Sequence, residues 1–232
     1  MVLVFLYHKI GKGKYSIPLK ILEKQFLSFK KKYNIVIPGE KLKIFKLNIC
    51  ITFDDAYFDF YHLVFPLLKK YKIKAVLSIP TKYILEKSKK TIKERLVSSS
   101  FEKINKNAFC SWKEIKKMSD SGYVEIASHS YSHSNLITTN NIEKEILLSK
   151  KILEEKIKKN ISIFIYPFGK FNKKIHKLTK KNYRYIMRIG NTFNIGWKNL
   201  NKITYRISSN DLKMKNFIFY LYRYIINIIR KR

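Results

Sequence analysis

Acidic residues are scarce in this chain of 232 residues: 16 Asp and Glu stand against 49 Lys and Arg, a formal net charge of +33. A carboxylate found in a functional pattern is therefore conspicuous against the basic background. Glycine (7) and proline (5) are few, which argues against a fibrous or linker-rich chain. Two cysteines, Cys50 and Cys110, are too few and too isolated for a disulfide framework or a zinc cluster, and they read as buried small apolar residues. No stretch reaches the ~18 to 20 apolar residues of a membrane span. The nearest approach, 217–229, is interrupted by Arg223 and Asn227 and ends in Arg230, Lys231 and Arg232. The opening run from Met1 to His8 has no basic leader before it and no small-residue cleavage site after it. It reads as a strand, and the expectation is a cytoplasmic protein or one at the inner face of the membrane.

What is present is apolar mass: 46% of residues are hydrophobic and 15% aromatic, enough to bury a core and to exclude a disordered basic tail. The charge invites a nucleic-acid reading, because a basic surface gains from counterion release on phosphates. Only 7 of the 49 basic residues are Arg, however, and the planar Arg fork is what specific phosphate and base contacts favour. Lysine is spread along the whole chain beside abundant Ile, Asn and Phe, so drift in composition accounts for it and no specific nucleic acid is expected. The field would still draw in anionic lipid or glycan. The basic, apolar C-terminal segment is read either as a helix resting on an anionic membrane surface or as a last helix packed on the domain.

Short β-rich runs at 2–6, 49–53, 75–79, 124–127, 162–165, 185–188 and 202–206 alternate with helical patterns at 19–33, 57–71, 112–119, 142–159 and 173–180. This order indicates a parallel sheet, closed as a barrel or open, in a single domain over 1–232 with 208–232 as a basic helical segment. Ser111 with Glu114 marks one helix start, Asn141 another, and Gly122 a helix end. Ile142, Ile146, Ser149, Leu153 and Ile157 trace one helical face. The segment 81–110 is the least regular and reads as a surface excursion.

In parallel sheets, active sites gather where loops leave the C-terminal strand ends. Asp54 and Asp55 follow one strand, Ser128, His129 and His133 another, Tyr166-Pro167-Phe168-Gly169 a third, and Tyr7 and His8 the first. Each element alone has an ordinary reading: a helix cap, solvated histidines, a turn, a half-buried histidine. Together they have a chemical logic. Two histidines four apart and one carboxylate hold a divalent ion with open positions, and a second, adjacent carboxylate can take a proton from water. His8 is the best-placed donor for a leaving amine, and backbone amides of the Pro167-Phe168-Gly169 turn can stabilise an oxyanion. His62 and His176 lie in Lys-rich helical surroundings and are assigned no role.

Thr52-Phe53-Asp54-Asp55, Ser128-His129-Ser130-Tyr131-Ser132-His133 and Tyr166-Pro167-Phe168-Gly169, in that order, resemble the first three motifs of the polysaccharide deacetylases with the NodB homology domain, carbohydrate esterase family 4. The opening Leu6-Tyr7-His8-Lys9-Ile10 resembles the branch that includes the poly-N-acetylglucosamine deacetylases, whose late histidine motif is permuted to the N-terminus. The resemblance implies a distorted (β/α)7 barrel and metal-dependent removal of an N- or O-acetyl group from a sugar in a polysaccharide, oligosaccharide or glycolipid precursor. It implies Asp54 as general base, Asp55, His129 and His133 as metal ligands, His8 as catalytic acid, and Phe168 as the residue whose backbone amide holds the oxyanion. Tyr166, Pro167 and Gly169 complete the substrate-binding turn. Zinc is the implied ion, with cobalt or nickel also accepted by such a ligand set.

The chain departs from the pattern in places. Ala56 stands where the family usually has Gly, a mild change if the backbone there has ordinary dihedrals, and Ser134 replaces a common Pro. Ile165 and Tyr166 occupy the place of the Arg that often precedes the Pro-aromatic-Gly turn, and Arg206 is the candidate substitute for orienting Asp54. Tyr131, Tyr166 and Phe171 are rim aromatics that either stack on a sugar or pack. Two other classes stay open at this point: an inactive barrel binding anionic glycan or membrane through its basic face, and a nucleic-acid binder.

Overall fold

A computed structural model of the chain describes residues 1–13, 15–96, 104–197, 202–208 and 226. Among these residues ten strands occur, in the order β1 Val2–Tyr7, β2 Lys9–Ile10, β3 Ser16–Ile17, β4 Asn34–Ile35, β5 Asn48–Phe53, β6 Ala75–Ile79, β7 Val124–Ser128, β8 Ile163–Ile165, β9 Tyr185–Ile189 and β10 Ile203–Ser208. Seven of them, β1 and β5 to β10, are parallel and close on themselves. β1 pairs with β5 on one side (Val2 with Asn48, Tyr7 with Phe53) and with β10 on the other (Phe5 with Ile207). The expected seven-stranded barrel is therefore present. It is distorted because β6 meets β5 only at Thr52 and Phe53, while β4 covers the start of β5 at Asn48 and Ile49.

Strand alternation divides two apolar layers. Val2, Val4, Cys50, Val76, Ile163, Ile165 and Met187 fill the barrel interior. Phe5, Tyr7, Ile49, Ile51, Phe53 and Phe164 point outward to the helices. All six residues of β5 are buried, as expected of a strand covered on both faces. The same alternation, continued one step past β5, aims Asp54 inward along the line Cys50, Thr52, Asp54.

The covering helices are α1 Leu19–Lys32, α2 Phe65–Tyr71, α3 Ile92–Arg95, α4 Trp112–Asp120, α5 Ser149–Ile157 and α6 Lys173–Asn182. The patterns at 57–71 and 142–159 each contain a wide π turn, Phe60–Val64 and Lys144–Leu148, two helical residues from the start and ahead of α2 and α5. The predicted boundaries have physical support. Glu114 accepts from the Ser111 N–H (2.7 Å), Asn141 accepts from the Lys144 N–H (2.8 Å), and Gly122 takes φ +75°. Ile146, Ser149, Leu153 and Ile157 are buried along one face. Both cysteines are buried and unpaired with each other.

The excursion 81–110 is anchored by Arg95. Its guanidinium makes two bonds to Glu114 (2.6 and 2.8 Å), donates to the Phe109 and Asn107 carbonyls, and stacks 3.6 Å from the Phe58 ring. The predicted helical segment 208–232 lies outside the described residues apart from Ser208 and Ile226. Among the described residues no helix is long and apolar enough to cross a membrane.

Candidate active site

Four strand ends deliver the predicted residues to one rim. Asp54 Oδ2 lies 3.9 Å from His8 Nε2 and 3.7 Å from His129 Nε2. Asp55 Oδ1 lies 3.7 Å from His129 Nε2 and 3.5 Å from His133 Nε2. One ligand atom from each of Asp55, His129 and His133 falls within 4.8 Å of the others. Neither aspartate is spent on capping the helical run that begins at Phe58: Asp54 is bonded to Ser78 and Arg206, and Asp55 Oδ1 has no hydrogen-bond partner.

The donor set fits a divalent cation. The His129 Nδ1–H donates to the Ile165 carbonyl (2.8 Å), which fixes the tautomer and leaves Nε2 as a lone pair aimed at the aspartates. Asp55 Oδ1 is buried with no hydrogen-bond partner. Burial lowers the pKa of His129 to about 4 and, together with neighbouring His129, that of His133 to about 2, so both imidazoles are neutral. Burial and the adjacent Asp54 charge push Asp55 well above the usual carboxylate range. Without an ion this setting favours a protonated Asp55, and a bound cation would favour the ionised carboxylate beside the two neutral imidazoles.

Asp54 has a different environment from its neighbour. Burial alone would raise its pKa, but the Arg206 guanidinium and then His129 outweigh burial and hold it well below the carboxylate range. Arg206, fully buried in β10, binds both Asp54 oxygens at 2.7 and 2.8 Å and reaches Thr52 Oγ1 at 3.1 Å. The cation suggested by the sequence is thus in place. Ser78 Oγ also donates to Asp54 Oδ1 (2.7 Å). With Oδ1 held by Ser78 and Arg206, Oδ2 is the oxygen that faces His8 and His129. His8 is a quarter exposed; burial lowers its pKa, and Asp54 partly restores it.

Two supporting residues were not foreseen. Ser78 points inward from β6 and carried no motif. Glu145, buried in the π turn, accepts from the Ser132 N–H (2.8 Å) and Ser132 Oγ (2.6 Å), pinning the loop between the two histidines. Its sequence signal was a carboxylate on the otherwise apolar face that starts at Ile142. Ser130 Oγ accepts from the His133 N–H (3.0 Å) in the same loop.

The turn after β8 narrows its own assignment. Pro167 has no N–H, and the Gly169 N–H is bonded to the Tyr166 carbonyl (3.0 Å), so Phe168 supplies the amide that the turn does not consume. The Phe168 ring is 56% exposed and stands edge-on to His133 at 4.7 Å. Tyr166, expected at the substrate, is fully buried instead, with its hydroxyl 2.9 Å from His176 Nδ1 and its ring stacked on Phe171. Alternation sends it outward under α6, so it packs the barrel wall. Ala56 also departs from expectation: its φ is +53°, a left-handed backbone that disfavours a side chain.

Comparison with known proteins agrees with this geometry. The polysaccharide deacetylase family model matches residues 46–186. The chain is 30% identical over 159 residues to the poly-beta-1,6-N-acetyl-D-glucosamine N-deacetylase of Staphylococcus aureus (strain MRSA252), covering 64% of this chain and 47% of that protein. The chain spans about half the length of the curated relatives it matches. Its fold superposes on the Streptococcus pyogenes deacetylase PplD with a TM-score of 0.72 at 21% identity, covering 89% of this chain and 91% of that one. The Aggregatibacter actinomycetemcomitans de-N-acetylase gives 0.71 at 20% identity, with 96% and 99% covered. Since the family model takes in more than half of the sequence, from before β5 into β9, the chain belongs to the polysaccharide deacetylase family.

Proposed function

We propose that the chain is a metal-dependent carbohydrate deacetylase that hydrolyses the acetamido group of an N-acetylated sugar. One observation carries this reading: three neutral or orphaned acceptors, on Asp55, His129 and His133, converge beside a second carboxylate held ionised by Arg206. A divalent ion held by the three, zinc in the first instance, supplies Lewis-acid polarisation of the acetyl carbonyl and acidifies water. Asp54 Oδ2 takes the proton of the attacking water, and Arg206 and Ser78 keep the carboxylate aimed. The Phe168 N–H stabilises the oxyanion as the carbonyl carbon becomes tetrahedral. The C–N bond then breaks, His8 protonates the departing nitrogen, and acetate and a free amine leave. The 3.9 Å between His8 and Asp54 suits a proton relay that tightens around bound substrate.

The name of the S. aureus relative supports an acetamido-sugar polymer as substrate class. An inactive glycan-binding barrel has no need of this donor set, and nothing in the site addresses nucleic acid. The test is acetate release from a panel of N- and O-acetylated saccharides, with chelator and with zinc restored. Chelator-sensitive release from N-acetylated members is expected. Asp54→Asn should lower turnover by about 10³-fold or more while sparing bound metal, and Asp55→Asn should weaken the metal. A chain that binds no divalent ion and releases no acetate sinks the proposal.

A further inference from the structure

The end of the barrel opposite the site carries an apolar feature that folding does not require. The chain between β4 and β5 makes a loop whose tip is Ile44 and Phe45; Phe45 is fully exposed and Ile44 is 87% exposed. A frayed loop can show such residues to water without meaning, but this one is held. Asn48, fully buried at the start of β5, accepts from the Lys43 N–H (2.9 Å) and donates to the Lys43 (3.0 Å) and Lys46 (3.2 Å) carbonyls. Both feet of the tip are tied to one side chain, and Leu42 packs against the interior cluster. Ile195, 67% exposed, lies at the same end, beside Asn194, whose backbone pairs with Val2.

Chemistry selects the partner. Exposed Lys41, Lys43 and Lys46 flank the tip, and no acidic residue lies between Lys41 and Asn48. Two apolar side chains fall far short of the ~800 Å² per partner of a stable protein interface. The same pair ringed by lysines suits the boundary of a bilayer, where apolar side chains enter below anionic headgroups and the ammonium groups remain among them. We propose that the loop carrying Ile44 and Phe45 docks this chain onto an anionic lipid surface. The six strand residues Asn48–Phe53 then hold the acidic rim on the order of 20 Å from the docking loop. The rim faces the aqueous phase, which favours sugars approaching from solution. This docking is independent of the reaction proposed above.

The test is co-sedimentation of the full chain with vesicles of phosphatidylcholine alone or mixed with phosphatidylglycerol. Binding to the mixed vesicles is expected. Ile44→Ser combined with Phe45→Ser changes no charge and should lower the partition coefficient about tenfold, with thermal unfolding and acetate release from a soluble oligosaccharide unchanged. Phe45→Trp should retain binding, its added emission moving to shorter wavelength on the mixed vesicles. Equal binding by the serine variant and the parent overturns the proposal, since charge alone then explains attraction. Loss of a dimer in the serine variant, without loss of vesicle binding, also overturns it and assigns the tip to a second copy.

Discussion

The two ends of the barrel treat buried polar groups in opposite ways. At the floor, Asn48 bonds with Asn34, Met1, Lys43 and Lys46, and Asn194 bonds with Val2 and both backbone groups of Tyr205. At the rim, Asp55 Oδ1 and Arg206 Nε are buried with no partner, and Asp55, Ala56, Ser130, His133 and Phe168 all hold positive φ. Non-glycine residues in that region cost about 1 kcal/mol each. Lys72, Lys158 and Lys202 hold positive φ at the floor as well, before β6, β8 and β10, so what sets the rim apart is that its strain stands beside unmet valence, where a ligand can use both.

The largest break in that comparison comes from removing the rim's internal brace. Arg206→Leu leaves Asp54 buried without its counter-charge, which should cost about 3 to 5 kcal/mol in urea unfolding and abolish acetate release. Combining Arg206→Leu with Asp54→Asn should restore part of that stability without restoring activity, because charge and partner are removed together. A single Arg206→Leu variant as stable as the parent contradicts the brace.

Acid should act on the rim next. His129 and His133 have folded pKa values below their ordinary 6.5, so below that pH the unfolded chain binds protons that the folded chain does not. Each histidine therefore removes stability from the metal-free protein as pH falls from 6.5 toward about 4, by on the order of 1.4 kcal/mol per pH unit, while Asp55 and Asp59, whose folded pKa values are raised, act in the opposite direction. Urea midpoints at pH 7 and pH 5.5 measure the net change. The change between the two pH values should shift in His133→Asn by one histidine's share, in favour of pH 5.5, and an unchanged difference there excludes His133 as a contributor.

Much of this was legible in the residues. The strand runs, the helix starts at Ser111 and Asn141, and the delivery of Asp54, Asp55, His129 and His133 to one rim all follow from local pattern and chain order. Closure of the sheet follows from the family resemblance and not from the strand pattern, which leaves a barrel or an open sheet, because Val2 meeting Asn48 depends on barrel geometry at long range. Tyr166 was misplaced by reading a motif as a unit, when strand alternation sends adjacent side chains to opposite faces. Ser78 acts through one hydrogen bond across the chain, which no spacing announces, and Glu145 is marked only by its place on the buried face of the 142–159 pattern. Ala56 is a mild change only with ordinary dihedrals, and the residue type does not give the dihedral, which is φ +53°.

A smaller effect is expected from the floor, and it should fall on stability alone. Asn48→Ala removes the side-chain bonds to the Lys43 N–H and to the Lys43 and Lys46 carbonyls, leaves the Met1 carbonyl its bond from the backbone N–H of residue 48, and should cost about 2 kcal/mol in urea unfolding. Turnover per folded molecule should equal that of the parent, because Asn48 lies a strand length from Asp54. A fall in kcat at unchanged stability would mean that the two ends are not separable.

The smallest expected effect tests whether rim strain is functional at every position. Ala56 is fully buried at φ +53°, with its carbonyl accepting from the Cys110 N–H (2.8 Å) and no side-chain atom available for chemistry. Ala56→Gly relieves about 1 kcal/mol of left-handed strain but gives the unfolded chain more freedom and removes a buried methyl group. A net gain below about 1 kcal/mol follows, which for a chain of this size raises Tm by about 2 °C. Acetate release should be unchanged, since the backbone direction that positions Asp55 is kept. At Phe168 the same sign of φ serves the amide proposed to hold the oxyanion, and there the strain has a use. A lower Tm in Ala56→Gly would mean that methyl packing outweighs the dihedral cost, and position 56 would then belong with the close-packed wall of the barrel.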